Sequence, residues 1–144
     1  MTNKLARDLM TENPACCTPE TSLDEVAKMM RQYDCGEIPV VDRTEQPIGV
    51  VTDRDIVCRV VAEGKNPMAY PVEICMSQPV VTVPVDAQLS QVLATMERLQ
   101  IRRVPVVDDN GRCVGMISQA DIAWTGGKQD VADLVREISR VSSH

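Results

Sequence analysis

Two short strings carry the residue types from which a nucleotide site could be built. Gly49-Val50-Val51-Thr52-Asp53-Arg54-Asp55-Ile56 and Gly115-Met116-Ile117-Ser118-Gln119-Ala120-Asp121-Ile122 each place a carboxylate three residues after a hydroxyl. Each string leaves a β-branched run, so the hydroxyl stands where a strand ends and a helix begins. A carboxylate there can accept hydrogen bonds from both hydroxyls of a ribose. The hydroxyl and the free N–H groups of a helix start can hold a phosphate. The same spacing has a purely structural use, because Thr or Ser with Asp three residues on caps a helix reciprocally. Duplication copies caps as readily as sites, so both readings stand on these residues.

Other side chains narrow the chemistry. Arg102-Arg103 reads either as a pair of cations for phosphate or as two solvated charges at a sheet edge. The matching place in the first copy is Gly36-Glu37, which is acidic and unsuited to a polyphosphate. The only His is His144, near the end of the chain, so a hydrolytic triad has no base and an enzyme is not expected. Six cysteines (Cys16, Cys17, Cys35, Cys58, Cys75 and Cys113) form no C-x-x-C. They read as reduced packing thiols, and no metal is expected.

The elements that would position these strings repeat. At an offset of 66 residues, Leu23, Val26 and Met30 fall on Leu89, Val92 and Met96, and Pro39 to Asp42 falls on Pro105 to Asp108. Each copy predicts a short first strand (Ala15 to Thr18; Val80 to Val83) and an amphipathic helix, with Ser22 and Glu25 as a capping box in the first. A hairpin follows (Ile38 to Val41 with Ile48 to Val51; Val104 to Val107 with Val114 to Ile117), then a second helix. The order is β-α-β-β-α, twice. The fold class is α/β (α+β), two repeats packed sheet to sheet with pseudo-twofold symmetry. The expected division is 1-65 with a lead-in helix over Asn3 to Met10, 66-125, and a C-terminal amphipathic helix over 126-144. The apolar stripe Val131, Leu134, Val135, Ile138 and Val141 marks that last helix.

Composition excludes several functions. The formal net charge is -6 and there is no Phe, so phosphate backbones are repelled, base stacking lacks platforms, and no nucleic acid is expected as partner. No apolar run approaches the roughly 20 residues that span a bilayer. The first ten residues lack the apolar stretch of a signal peptide. The expectation is a cytoplasmic protein, with no membrane partner.

The unit resembles the CBS domain, named from cystathionine β-synthase. The marks are Met10-Thr11 and Met76-Ser77 before each first strand, Ile38-Pro39-Val40-Val41-Asp42 with Val104-Pro105-Val106-Val107-Asp108, and the Gly-x-x-Thr/Ser-x-x-Asp strings. The resemblance covers roughly residues 9 to 122. It implies a crossed arrangement in the cleft between the repeats. Thr52 and Asp55 would hold ribose and phosphate, with Val81, Val83, Arg102, Arg103, Val104 and Pro105 completing that site. Ser118 and Asp121 would form a second site with Cys17, Thr18, Cys35, Gly36, Glu37, Ile38 and Pro39. The implied ligand is AMP, ADP or ATP, with S-adenosylmethionine or NADH ranked behind. The implied function is a stand-alone regulatory module, a homodimer, signalling to an effector protein. The alternative is a dimerisation or interaction scaffold with vestigial sites.

Overall fold

The computed structural model describes residues 4–125 of the chain. In chain order its elements are α1 (Ala6–Leu9), β1 (Thr11–Glu12), α2 (Leu23–Tyr33), β2 (Glu37–Val41), β3 (Pro47–Thr52) and α3 (Asp53–Ile56), which runs on as a π-helical turn over Val57–Val61. Short 3-10 turns follow at Pro67–Ala69 and Val72–Ile74. Then come β4 (Val83–Pro84), α4 (Leu89–Leu99), β5 (Arg103–Val107), β6 (Cys113–Ser118) and α5 (Gln119–Thr125). The mixed α and β class holds, and helix, hairpin and helix follow one another in both copies, but only the second copy has a leading strand, β4. The helix expected over 126-144 lies outside the described residues.

Chain contacts define two compact units, and these cross the repeat boundaries. The first comprises residues 14–80 with 111–113. Its hairpin pairs β2 with β3 antiparallel, from Glu37 opposite Thr52 to Val41 opposite Pro47, with a register shift at Val40/Val41. Single bridges flank the hairpin, Cys17 parallel to Val40 and Val50 antiparallel to Ser77. The predicted strand Ala15 to Thr18 is thus reduced to one bridge. Pro14 and Pro19 close it on both sides and have no N–H to continue a ladder. Helix α2 starts because the Ser22 hydroxyl accepts the Glu25 N–H at 3.2 Å, and it ends where Asp34 turns left-handed at φ 51. Leu23 and Val26 on its inner face join Cys17, Ile38, Val40, Val51, Val60, Val72 and Cys75 in one aliphatic core.

The second unit, among the described residues, comprises 4–13, 81–110 and 114–125. Its sheet has the order β1-β6-β5-β4. Thr11 lies opposite Met116 in the antiparallel β1–β6 pair, and Val83 pairs with Val106 in the parallel β4–β5 pair. These pairings repeat those of the first unit at the same offset. Thr11 with Met116 matches Ser77 with Val50, and Val83 with Val106 matches Cys17 with Val40. Each hairpin is therefore flanked by a lead-in segment that precedes the other repeat in the chain. The expected lead-in helix Asn3 to Met10 is a single turn, α1, and the chain then extends as β1. Leu89, Val92, Leu93 and Met96 of α4 pack with Ala6, Leu9, Val83, Ala87, Val104, Val106, Ile117 and Ile122 as this unit's core.

Candidate functional site

Each Thr/Ser-x-x-Asp string forms a corner at the end of a hairpin strand. In the first, the Thr52 hydroxyl accepts the Asp55 N–H at 3.0 Å, and the Thr52 N–H donates to Asp55 Oδ2 at 3.0 Å. In the second, the Ser118 N–H donates to Asp121 Oδ2 at 2.8 Å and the Ser118 hydroxyl accepts the Asp121 N–H at 3.2 Å. Both strings are reciprocal helix caps, as the structural reading of the spacing requires. The first corner carries more. The Ser77 hydroxyl donates to the Asp55 carboxylate, 3.3 Å from each oxygen, and Arg59 Nε lies 3.8 Å from Oδ1. The Asp55 side chain keeps 12% of its surface exposed.

The remaining expected residues divide between the units. Cys17, Thr18, Cys35, Gly36, Glu37, Ile38 and Pro39 share a unit with Thr52 and Asp55, while Val81, Val83, Arg102, Arg103, Val104 and Pro105 share one with Ser118 and Asp121. Within the first unit Glu37 is the cross-strand partner of Thr52, and the Gly36 carbonyl accepts the Asp53 N–H at 3.0 Å. Within the second, the Arg102 carbonyl accepts the Gln119 N–H at 2.9 Å, and Arg103 opens β5. The side chains of Cys17, Ile38, Pro39, Val83, Val104 and Pro105 are buried, whereas Thr18, Val81 and Arg102 are exposed. The backbone of Cys17 is occupied too, its N–H by the Pro39 carbonyl and its carbonyl by the Val41 N–H.

Two residues around Asp55 escape a reading by motif. Ser77 belongs to the Met-Ser pair that marks the lead-in segment, but nothing in its spacing ties it to Asp55, 22 residues earlier. Arg59 could have been found, since a carboxylate four residues ahead of a cation on a helix is a standard ion-pair spacing.

The thiols are shaped by burial and by one another. The hydrogen bond to Cys113, then burial, then the nearby Cys113, Cys17 and Glu45 hold Cys16 protonated, far above the usual thiol range. Burial, with Cys75 beside it, pushes Cys17 up to about 12. Burial and the Asp55 charge raise Cys75, and Arg59 partly offsets them. None of the six cysteines is joined in a disulfide.

The repeat, the paired corners and the lead-in segments define a two-copy fold of the CBS class. A family model for the CBS domain matches residues 6–62 and 72–124, and the chain belongs to that family. It is 34% identical over 133 residues to hypoxic response protein 1 of Mycobacterium tuberculosis, covering 92% of each chain. It is 40% identical over 116 residues to the uncharacterized protein MK0525 of Methanopyrus kandleri, covering 81% of this chain but 57% of that one. Among solved structures, the CBS domain pair of protein MJ0100, in complex with 5′-methylthioadenosine and S-adenosyl-L-methionine, superposes with a TM-score of 0.76 at 29% identity, covering 86% of this chain and all of that one. The family match brings no catalytic family with it. Among the described residues no helix is long and apolar enough to cross a membrane.

The expectation that metal plays no part is corrected by the same comparisons. The structure of hypoxic response protein I, with a TM-score of 0.79, 32% identity, and coverage of 86% of this chain and 100% of that one, holds two coordinated zinc ions. The expectation rested on local ligand spacings. Ligands that a fold gathers from distant positions leave no such spacing. Among the described residues of this chain, no three His, Cys, Asp or Glu side chains form a group that fits a metal ion.

Proposed function

We propose that this chain is a regulatory module that binds an adenosine-containing ligand, AMP, ADP and ATP among them, at its Thr/Ser-x-x-Asp corners and passes its state to a partner protein. Asp55 carries the reading. Its carboxylate is held by the cap through Oδ2 and keeps part of its surface exposed, and about four acceptor positions on a carboxylate are more than a cap uses. The MJ0100 pair supports the ligand class, because both of its ligands contain adenosine with its ribose diol. Arg102 and Arg103 are the candidate cations for phosphates, whereas Glu37, at the matching place in the other repeat, is acidic. The net charge of -6 argues against nucleic acid. A cytoplasmic homodimer belongs to the same proposal, with Val57 and Val61, 56% and 51% exposed on one helical turn, as apolar residues for a second copy to cover.

The scaffold reading has a specific observation of its own, that both corners are reciprocal helix caps closed by their own side chains and backbone. Calorimetry separates the two. Under the proposal an adenine nucleotide or S-adenosylmethionine gives saturable heat. Asp55→Ala then weakens binding about ten- to a hundredfold, roughly 1.5–3 kcal/mol for charge-assisted bonds. Under the scaffold reading, Asp55→Ala lowers stability by a cap's roughly 0.5–2 kcal/mol, and no adenosine compound binds at millimolar concentration.

A further inference from the structure

We infer that Ser77 is a positioning residue that makes the Asp55 corner selective for ribonucleotides over 2′-deoxyribonucleotides, an inference that rests on the proposal that Asp55 accepts a ribose diol. The Thr52 N–H fixes Oδ2 at 3.0 Å, one point of attachment, about which the carboxylate could still swing. The Ser77 hydroxyl supplies the second point. It has one proton and lies 3.3 Å from each oxygen, so it bridges them along one edge. Arg59 Nε, 3.8 Å from Oδ1, adds attraction from a side chain that is 55% exposed. The Thr52 N–H takes one acceptor position on Oδ2 and the single Ser77 proton is shared by both oxygens, so of about four positions each oxygen keeps capacity for a further donor, as the 2′- and 3′-hydroxyls of a ribose require. A 2′-deoxyribose leaves one of the oxygens without that further donor.

Ser77 can act this way because its own backbone is held on both sides. Its N–H donates to the Val50 carbonyl at 2.7 Å, and the Val50 N–H donates to the Ser77 carbonyl at 3.1 Å. The hydroxyl is therefore presented to Asp55 by a fixed backbone, not by a mobile loop.

The test is calorimetry with AMP and 2′-deoxy-AMP on the wild type, Ser77→Ala and Ser77→Thr, with unfolding midpoints measured alongside. The wild type should prefer AMP about tenfold, the worth of one hydrogen bond to a charged acceptor. In Ser77→Ala that ratio should fall to about twofold through weaker AMP binding, with 2′-deoxy-AMP affinity unchanged. Ser77→Thr, which keeps the hydroxyl, should restore it. A general structural loss would weaken both ligands equally and leave the ratio intact, and that result overturns the inference. A wild type that binds both nucleotides equally also overturns it, while leaving the proposed function standing. A wild type that binds no AMP removes the inference together with the AMP form of that function.

Discussion

A Cβ placed on Gly49 would stand 2.7 Å from the carbonyl oxygen of Ser77. The glycine that opens the first Thr-x-x-Asp string is thus the residue that lets the lead-in segment cross beside β3. Gly115 does the same work in the second copy, but its Cβ would meet the Met10 side chain. Backbone cannot move aside as a methionine can. Gly49→Ala should therefore cost about 1–3 kcal/mol by overpacking, and Gly115→Ala less. Urea midpoints of the two variants check this, and the reverse order contradicts it.

The two long helices begin differently. The Ser22 hydroxyl caps α2, whereas at α4 the Gln91 side chain accepts the Gln88 N–H at 2.8 Å and no side-chain oxygen of Gln88 caps the helix start. Ser22→Ala should lose roughly 0.5–2 kcal/mol, and Gln88→Asp should gain a few tenths to about 1 kcal/mol. Thermal melts of both variants decide the matter. A neutral Ser22→Ala would count against the cap.

Alkaline pH should destabilise the fold through Cys17. Its folded-state pKa, about 12, lies above the ordinary thiol value of 9.0, so its contribution is fully present below pH 9. Above pH 9 the unfolded thiol ionises first, and stability falls as the pH rises toward 12. Cys17→Ala should be less stable at neutral pH and lose less between pH 9 and 12. Denaturant titrations at both ends of that range measure the slope, which stays unchanged in the variant if Cys17 is not responsible.

The proposed function assigns Arg102 and Arg103 to the phosphates and not to the nucleoside. With both changed to Ala, ATP should weaken about tenfold or more, while adenosine changes within about twofold, because only the phosphates use that charge. Parallel calorimetric titrations give the comparison. Equal losses would make the two arginines structural.

The core is the most exposed place to test the two-unit organisation. Leu23, 1% exposed, and Met96, fully buried, sit in different cores. Each change to Ala should cost about 2–5 kcal/mol. Unfolding followed by hydrogen exchange should show the larger loss of protection in the unit that carries the substitution. Equal losses throughout would mean that the chain unfolds only as a whole.

Much of this was legible in the residues. The offset of 66 residues located both hairpins to within a residue and the inner faces of α2 and α4, because β-branched alternation and helical spacing report which face is buried. Thr52 with Asp55 and Ser118 with Asp121 were visible as corners for the same reason. The first strand around Cys17 shrinks to one bridge, since prolines on both sides interrupt the ladder. Ser77 was passed over as a site residue, because its bond to Asp55 spans 22 positions and depends on how the lead-in segment lies on β3.

By itself the sequence determined the repeat, the element order and the residue types at each corner, all of which follow from local periodicity and spacing. Only the tertiary structure decided that each lead-in segment pairs with the hairpin of the other repeat, Thr11 with Met116 and Ser77 with Val50. Strand pairing over long separations is chosen by which exposed edge and which glycine gap can accept a backbone. No local pattern encodes that match.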